Sequence, residues 1–139
     1  LLLMDATGAY HRQMVREFEG HSAGRVVTPL MRLQDPAYTR IILVTLPETT
    51  PVSQAQALQE DLRRAQIEPF AWVINKSIEA AGTRDPLLAA RLQGERRQME
   101  RISRGLAKLT FVVPWKAQPP IGYRALSALV QGQRPASGQ

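Results

Sequence analysis

Three short apolar runs stand apart from a chain otherwise patterned in threes and fours. Ile41–Leu46 (IILVTL), Phe70–Ile74 (FAWVI) and Leu109–Val113 (LTFVV) are rich in β-branched or aromatic residues, and each is too short for a helix. None alternates cleanly between apolar and polar, which predicts strands buried on both faces, as in a parallel sheet covered by helices. Between the first two runs, Val52, Ala55, Leu58, Leu62 and Ala65 recur at intervals of three or four. That spacing predicts a helix over Pro51–Ala65, capped by Thr50, with Pro51 at its first position. Between the second and third runs, Asp85 caps a long helix starting at Pro86. Leu88, Leu92, Met99, Ile102 and Leu106 keep the same period there, while Arg91, Arg96, Arg97, Arg101 and Arg104 fall mostly outside it. A last helix, about Tyr123–Val130, carries Leu126, Leu129 and Val130 ahead of the polar stretch Gln131–Gln139, which is expected to be a disordered tail.

Strands alternating with helices of this length specify an α/β fold with a parallel sheet and right-handed crossovers. The first forty residues are less regular. Leu1–Met4 fits a strand or the end of a helix, Asp5–Gly8 a turn, and Ala9–Phe18 a helix with Tyr10, Met14 and Phe18 at helical spacing. Glu19–Arg25 reads as a loop, and Thr28–Gln34 as a short helix capped by Thr28, begun by Pro29 and ended by Asp35-Pro36. The opening Leu-Leu-Leu-Met has no positively charged lead-in, so it reads neither as a signal peptide nor as a natural start, and the chain as a segment of something longer.

Composition narrows the chemistry. A chain of 139 residues, 44% hydrophobic and 22% charged, suits one packed domain. The lack of cysteine removes disulfides, thiolate metal sites and thiol nucleophiles. Only His11 and His21 supply imidazoles, so no protein-built metal centre is expected. No apolar run approaches the roughly 18 residues of a membrane span, and the chain reads as soluble. Eighteen Lys and Arg against twelve Asp and Glu give a net charge of +6. That excess suits an acidic partner, whether phosphate, nucleic acid or anionic lipid.

In open parallel sheets, ligands bind beyond the carboxyl ends of the strands, where loops and helix N-termini converge. Three motifs share that edge here: Leu46-Pro47-Glu48-Thr49-Thr50-Pro51, Asn75-Lys76-Ser77 and Pro114-Trp115-Lys116. Together they suit a heteroaromatic base with an anionic tail. The Asn75 carboxamide sets a donor beside an acceptor, matching the ring nitrogen and exocyclic amine of adenine, although an Asn here equally suits a turn. Glu48 fits a general base or the orienting of a water, and equally a favourable helix start. Trp115 fits a stacking platform or ordinary core. The arginines of the long helix are read as a solvated face with glutamate partners such as Glu95 and Glu100. No G-x-x-x-x-G-K-[ST] or G-x-G-x-x-G run occurs, so the chain has no loop of glycine amides to cradle phosphates. On residues alone, it reads as half of a nucleotide-binding domain.

Four segments together carry a family resemblance: Asp5-Ala6-Thr7-Gly8-Ala9-Tyr10-His11-Arg12, Leu33-Gln34-Asp35-Pro36, Val44-Thr45-Leu46-Pro47-Glu48-Thr49-Thr50-Pro51-Val52 and Val73-Ile74-Asn75. The chain resembles the arsenical pump-driving ATPases from Leu1 to about Val130, and more closely the C-terminal part of their second ATPase half. The resemblance implies a deviant P-loop ATPase with a three-layer P-loop-type sheet flanked by helices, 1–130 being the C-terminal portion of that domain. It implies ATP and Mg2+ in the full-length protein, whose hydrolysis in the cytoplasm is coupled to extrusion of arsenite or antimonite. The implied partners are the N-terminal ATPase half, a membrane pump subunit and a metallochaperone. It assigns adenine recognition to Asn75, closure over the base to Pro114, Trp115 and neighbouring Lys116, and a place near nucleotide and half-to-half interface to Pro47 and Glu48.

The chain also departs from the family pattern. The deviant phosphate loop with its signature lysine, the element linking nucleotide to metalloid, and the metalloid ligands all fall outside this sequence, and His11 does not match the family's His ligand. The isolated polypeptide is therefore expected to bind ATP poorly and not to hydrolyse it. The resemblance also favours helix for Leu1–Met4. The alternative from another class is a non-catalytic module whose basic helix holds nucleic acid or an anionic membrane, but its basic residues lack the interleaved aromatics of single-strand binders.

Overall fold

The three apolar runs form one parallel sheet in chain order: β1 (Ile42–Thr45), β2 (Ala71–Ser77) and β3 (Thr110–Pro114). The computed structural model describes residues 27–131, and the expectations for 1–25, including His11 and His21, and for the tail after 131 lie outside the described residues. The crossovers are helical. α1 (Pro29–Gln34) precedes the sheet, and α2 (Thr49–Arg64) links β1 to β2. A single turn α3 (Ile78–Ala81) and the long α4 (Pro86–Arg101) link β2 to β3, and α5 (Gly122–Gln131) follows. This is the α/β architecture, a parallel sheet flanked by helices, that the sequence predicts.

Local chemistry explains most boundaries. Thr28 caps α1 by accepting the Met31 N–H at 3.3 Å, and Asp85 caps α4 by accepting that of Leu87 at 2.8 Å. α2 starts two residues earlier than the Thr50 cap predicts. Glu48 occupies the cap position without a side-chain bond, and Pro51 sits within the first turn, where its missing N–H leaves nothing unpaired. α4 does not continue to Leu106 as one α-helix. Ile102–Leu106 widens into a π-helical turn closed by Ala107 N–H to Ile102 C=O at 2.9 Å.

The core lies between the sheet and these helices: Leu43, Trp72 and Ile74 from the strands, Val52, Ala55 and Leu62 from α2, and Ile67 and Ile102. Arg101 reaches Ser53 and Gln56, and Gln98 reaches Thr49, so α2 and α4 lie side by side. A sheet whose strand order follows chain order, with crossovers of one hand, stacks its helices on one face. The expectation of strands buried on both faces is corrected for β1, whereas in β2 the successive residues Ala71 and Trp72 are both buried. Leu43 and Thr45 are buried, whereas Ile42 and Val44 on the other face are exposed, Val44 by 62%.

One further correction concerns α2. Leu58 is exposed, and the neighbouring Gln59 takes its place in the buried stripe, three residues before Leu62 and seven after Val52.

Candidate functional site

The pairing of β2 with β3 is regular from Trp72↔Thr110 to Ile74↔Val112 and then slips, the next pair being Ser77↔Pro114. Three residues on β2 thus span what two span on β3, an extra residue that makes a bulge of Asn75 and Lys76. Lys76 adopts φ +59°, a left-handed backbone that costs a non-glycine residue roughly 1–2 kcal/mol. Asn75, half-buried, accepts the Lys76 N–H on its Oδ1 at 2.9 Å. The carboxamide therefore does steady its own turn. Its Nδ2 makes no hydrogen bond among the described residues, and Oδ1 retains a second lone pair.

Ser77, fully buried, fixes the far side of this bulge three ways. Its hydroxyl donates to the Glu95 carboxylate and accepts the Ala80 N–H at 3.0 Å. Its carbonyl accepts the N–H of Trp115 at 2.8 Å. Glu95 in turn accepts the N–H groups of Ile78 at 3.0 Å and Glu79 at 3.2 Å. Glu95 is only 4% exposed, so its reading as a solvated partner for helix arginines is corrected. Its signal in the sequence is positional: 95 falls on the apolar stripe of Leu88, Leu92, Met99 and Ile102, where a carboxylate is tolerated only if fully hydrogen-bonded. The arginines find other partners, Arg91 on Glu48 at 3.5 Å, Arg96 on Glu79 at 2.7 Å and Arg104 on Glu100 at 2.6 Å.

A cavity of about 570 Å³ opens at this edge, with Pro47, Glu48, Lys76, Arg91, Glu95 and Trp115 in its lining. Of the six expected site residues, Pro47, Glu48 and Trp115 are therefore brought together. Asn75 lies outside the lining, one residue before Lys76, and Pro114 and Lys116 flank Trp115 outside it. Trp115 is 45% exposed and is not core, a place taken by Trp72. Lys76 makes no ion pair among the described residues, while Arg91 and Glu48 are loosely paired and exposed. The edge thus offers an aromatic face, a carboxamide and an available ammonium. No helix among the described residues is long and apolar enough to cross a membrane.

No protein-family model matches the chain. It is 48% identical over 130 residues to the arsenical pump-driving ATPase of Acidiphilium multivorum, a match covering 94% of this chain and 22% of that protein. Two Escherichia coli proteins of the same name match at 49% identity over 129 residues, covering 93% of this chain, and at 48% over 130, covering 94%; each match takes in 22% of the relative. The chain thus spans about a fifth of the length of the curated relatives it matches. Over nearly all of its own length, it is a homologue of part of the arsenical pump-driving ATPases, the family its motifs resemble.

Proposed function

We propose that this chain forms the adenine-binding side of a nucleotide site in an ATPase that drives extrusion of arsenite or antimonite. The observation that carries this reading is the convergence of three parallel strand ends on one edge, where the central strand breaks into the Asn75–Lys76 bulge. An N–H donor and an acceptor oxygen on Asn75 suit the adenine edge, and the Trp115 indole suits its face. Lys76, free of ion pairs among the described residues, suits the anionic end of the ligand. The names of the homologues supply the ATPase and the arsenical cargo.

In this reading, the chain binds and orients the base. The phosphate loop comes from elsewhere in the full polypeptide, because none occurs in this sequence, and the 139-residue chain alone does not turn over ATP. Among the described residues no three His, Cys, Asp or Glu side chains gather to hold a metal ion, so no Mg2+ ligand is assigned here. The second ATPase half is the proposed location of the segment, with the N-terminal half, a membrane pump subunit and a metallochaperone as proposed partners.

The test is ATP turnover by the full-length polypeptide carrying Asn75→Ala. A lost base contact of about 1–3 kcal/mol raises KM for ATP between roughly 5- and 150-fold and relaxes rejection of GTP. An unchanged KM, with GTP still rejected, overturns the reading.

A further inference from the structure

We propose that Glu95 is the positioning residue of the base-binding edge: a buried carboxylate that holds the Asn75–Lys76 bulge in its binding geometry and couples it to the Trp115 loop. The proposal rests on the base-binding reading above and assigns Glu95 no contact with the nucleotide.

Glu95 reaches across from the middle of α4 to residues adjoining the bulge. Its two oxygens take the Ser77 hydroxyl and the N–H groups of Ile78 and Glu79. Three donors on one buried carboxyl group leave neither of its oxygens without a hydrogen bond and fix the backbone immediately after Lys76. That matters because the bulge has one internal side-chain hydrogen bond, Lys76 N–H to Asn75 Oδ1, to hold it. Lys76 occupies a left-handed conformation that a lysine avoids, and the ladder to β3 is interrupted between Ile74 and Ser77. Such a conformation persists only where the surroundings over-determine it. Ser77 passes the restraint onward, since its carbonyl holds the Trp115 N–H. One side chain thereby sets the carboxamide on β2 and, through one further hydrogen bond, the aromatic residue after β3.

Glu95→Gln keeps the shape of the side chain but replaces one acceptor by a donor. In one orientation the new amide NH2 meets the Ser77 hydroxyl together with the Glu79 N–H, in the other the Ile78 N–H, and a backbone N–H cannot accept it. The tether slackens while α4 keeps its packing.

The experiment measures kcat/KM for ATP and for GTP with the full-length polypeptide as wild type, Glu95→Gln, Asn75→Ala and the double variant. The expected result is a fall of about tenfold in the ATP-to-GTP ratio for Glu95→Gln, in the same direction as Asn75→Ala, with no further fall in the double variant. Loss of discrimination in Asn75→Ala alone, with Glu95→Gln discriminating like wild type, overturns the proposal and leaves the base-binding reading intact. Equal losses on ATP and GTP in Glu95→Gln mean a merely structural role and also overturn it. An unaltered ratio in Asn75→Ala overturns the base-binding reading and this proposal with it. Ser77→Ala cuts the same tether from its other end and replaces Glu95→Gln in the comparison if that variant does not fold.

Discussion

The N–H of Trp115 is bonded to the carbonyl of Ser77 at 2.8 Å, so the loop after β3 is fastened to β2 by backbone alone. The indole is then free to serve as a surface, 45% exposed at the cavity mouth. Replacing it does not cut the fastening. Trp115→Ala is expected to leave the melting temperature nearly unchanged and to weaken ATP and GTP alike, by about 1–3 kcal/mol, because every base has a face to stack. Asn75→Ala changes the ratio between the two nucleotides, whereas Trp115→Ala changes both together. KM values for ATP and GTP, measured side by side on the full-length polypeptide, distinguish these effects.

The end of α2 offers a prediction independent of function. Gln66 N–H bonds Arg63 C=O and Ile67 N–H bonds Leu62 C=O, each at 2.9 Å, while Leu62 and Ile67 pack in the core. This is a complete Schellman closure with Gln66, at φ +61°, in the position that glycine usually fills. Gln66 is exposed, so its side chain contributes little packing in return. Gln66→Gly is expected to stabilise the chain by about 0.5–1 kcal/mol, the relief of left-handed strain exceeding the added chain entropy. A higher urea midpoint at unchanged slope is the expected reading.

What the sequence made legible follows from where the hydrophobic pattern was unbroken. The three strands, the caps Thr28 and Asp85, and the strand–helix alternation all follow from local rules that the fold obeys. The pattern misled at two positions inside helices where a polar residue is buried. Gln59 and Glu95 keep the helical period of their stripes, but solvent exposure is the ordinary fate of both residue types. Their partners, the Leu106 carbonyl and the Ser77 hydroxyl, lie 47 and 18 residues away, beyond the reach of local reading. The strand runs misled differently. A continuous apolar run does not say which of its faces is covered, and Val44 turned out to face outward. The strand-end motifs were visible, but the bulge at Asn75 and Lys76 is a register shift against β3, which the residues of β2 alone do not specify.

Charge predicts a small and signed pH effect. Arg63 donates through two nitrogens to the two oxygens of Glu68, at 2.9 and 3.0 Å, and holds that carboxyl below its ordinary value of 4.5. A carboxylate lowered in the folded state stabilises it fully above the unfolded value, and that contribution is lost as pH falls through the folded one. Both side chains are 46% exposed, so the pair contributes no more than about 0.5 kcal/mol. Glu68→Gln is expected to lower stability by that amount at neutral pH, with the two proteins converging as pH drops below the carboxylate range. Urea unfolding across pH, with and without high salt, measures it.

The most consequential single side chain outside the nucleotide edge is Gln59. Its Nε2 donates to the Leu106 carbonyl at 2.8 Å, which ties α2 to the π-helical turn closing α4. Its Oε1 is buried with no hydrogen bond among the described residues. The two halves of this amide therefore act in opposite directions, one satisfying a carbonyl and the other carrying an uncompensated desolvation cost. Gln59→Ala removes both and opens a void beside Val52, Ala55 and Leu62 on the buried side of α2, for an expected loss of about 2–4 kcal/mol. Gln59→Met fills nearly the same volume and discards the orphaned oxygen, leaving only the Leu106 carbonyl without its donor. Leu106 is half-buried, so water can reach part of that deficit, and the expected loss is about 1 kcal/mol. Urea midpoints for the two variants decide which half dominates. Equal losses would mean that the bond to Leu106 outweighs packing, and that the π-helical turn depends on a donor from α2 to keep its place.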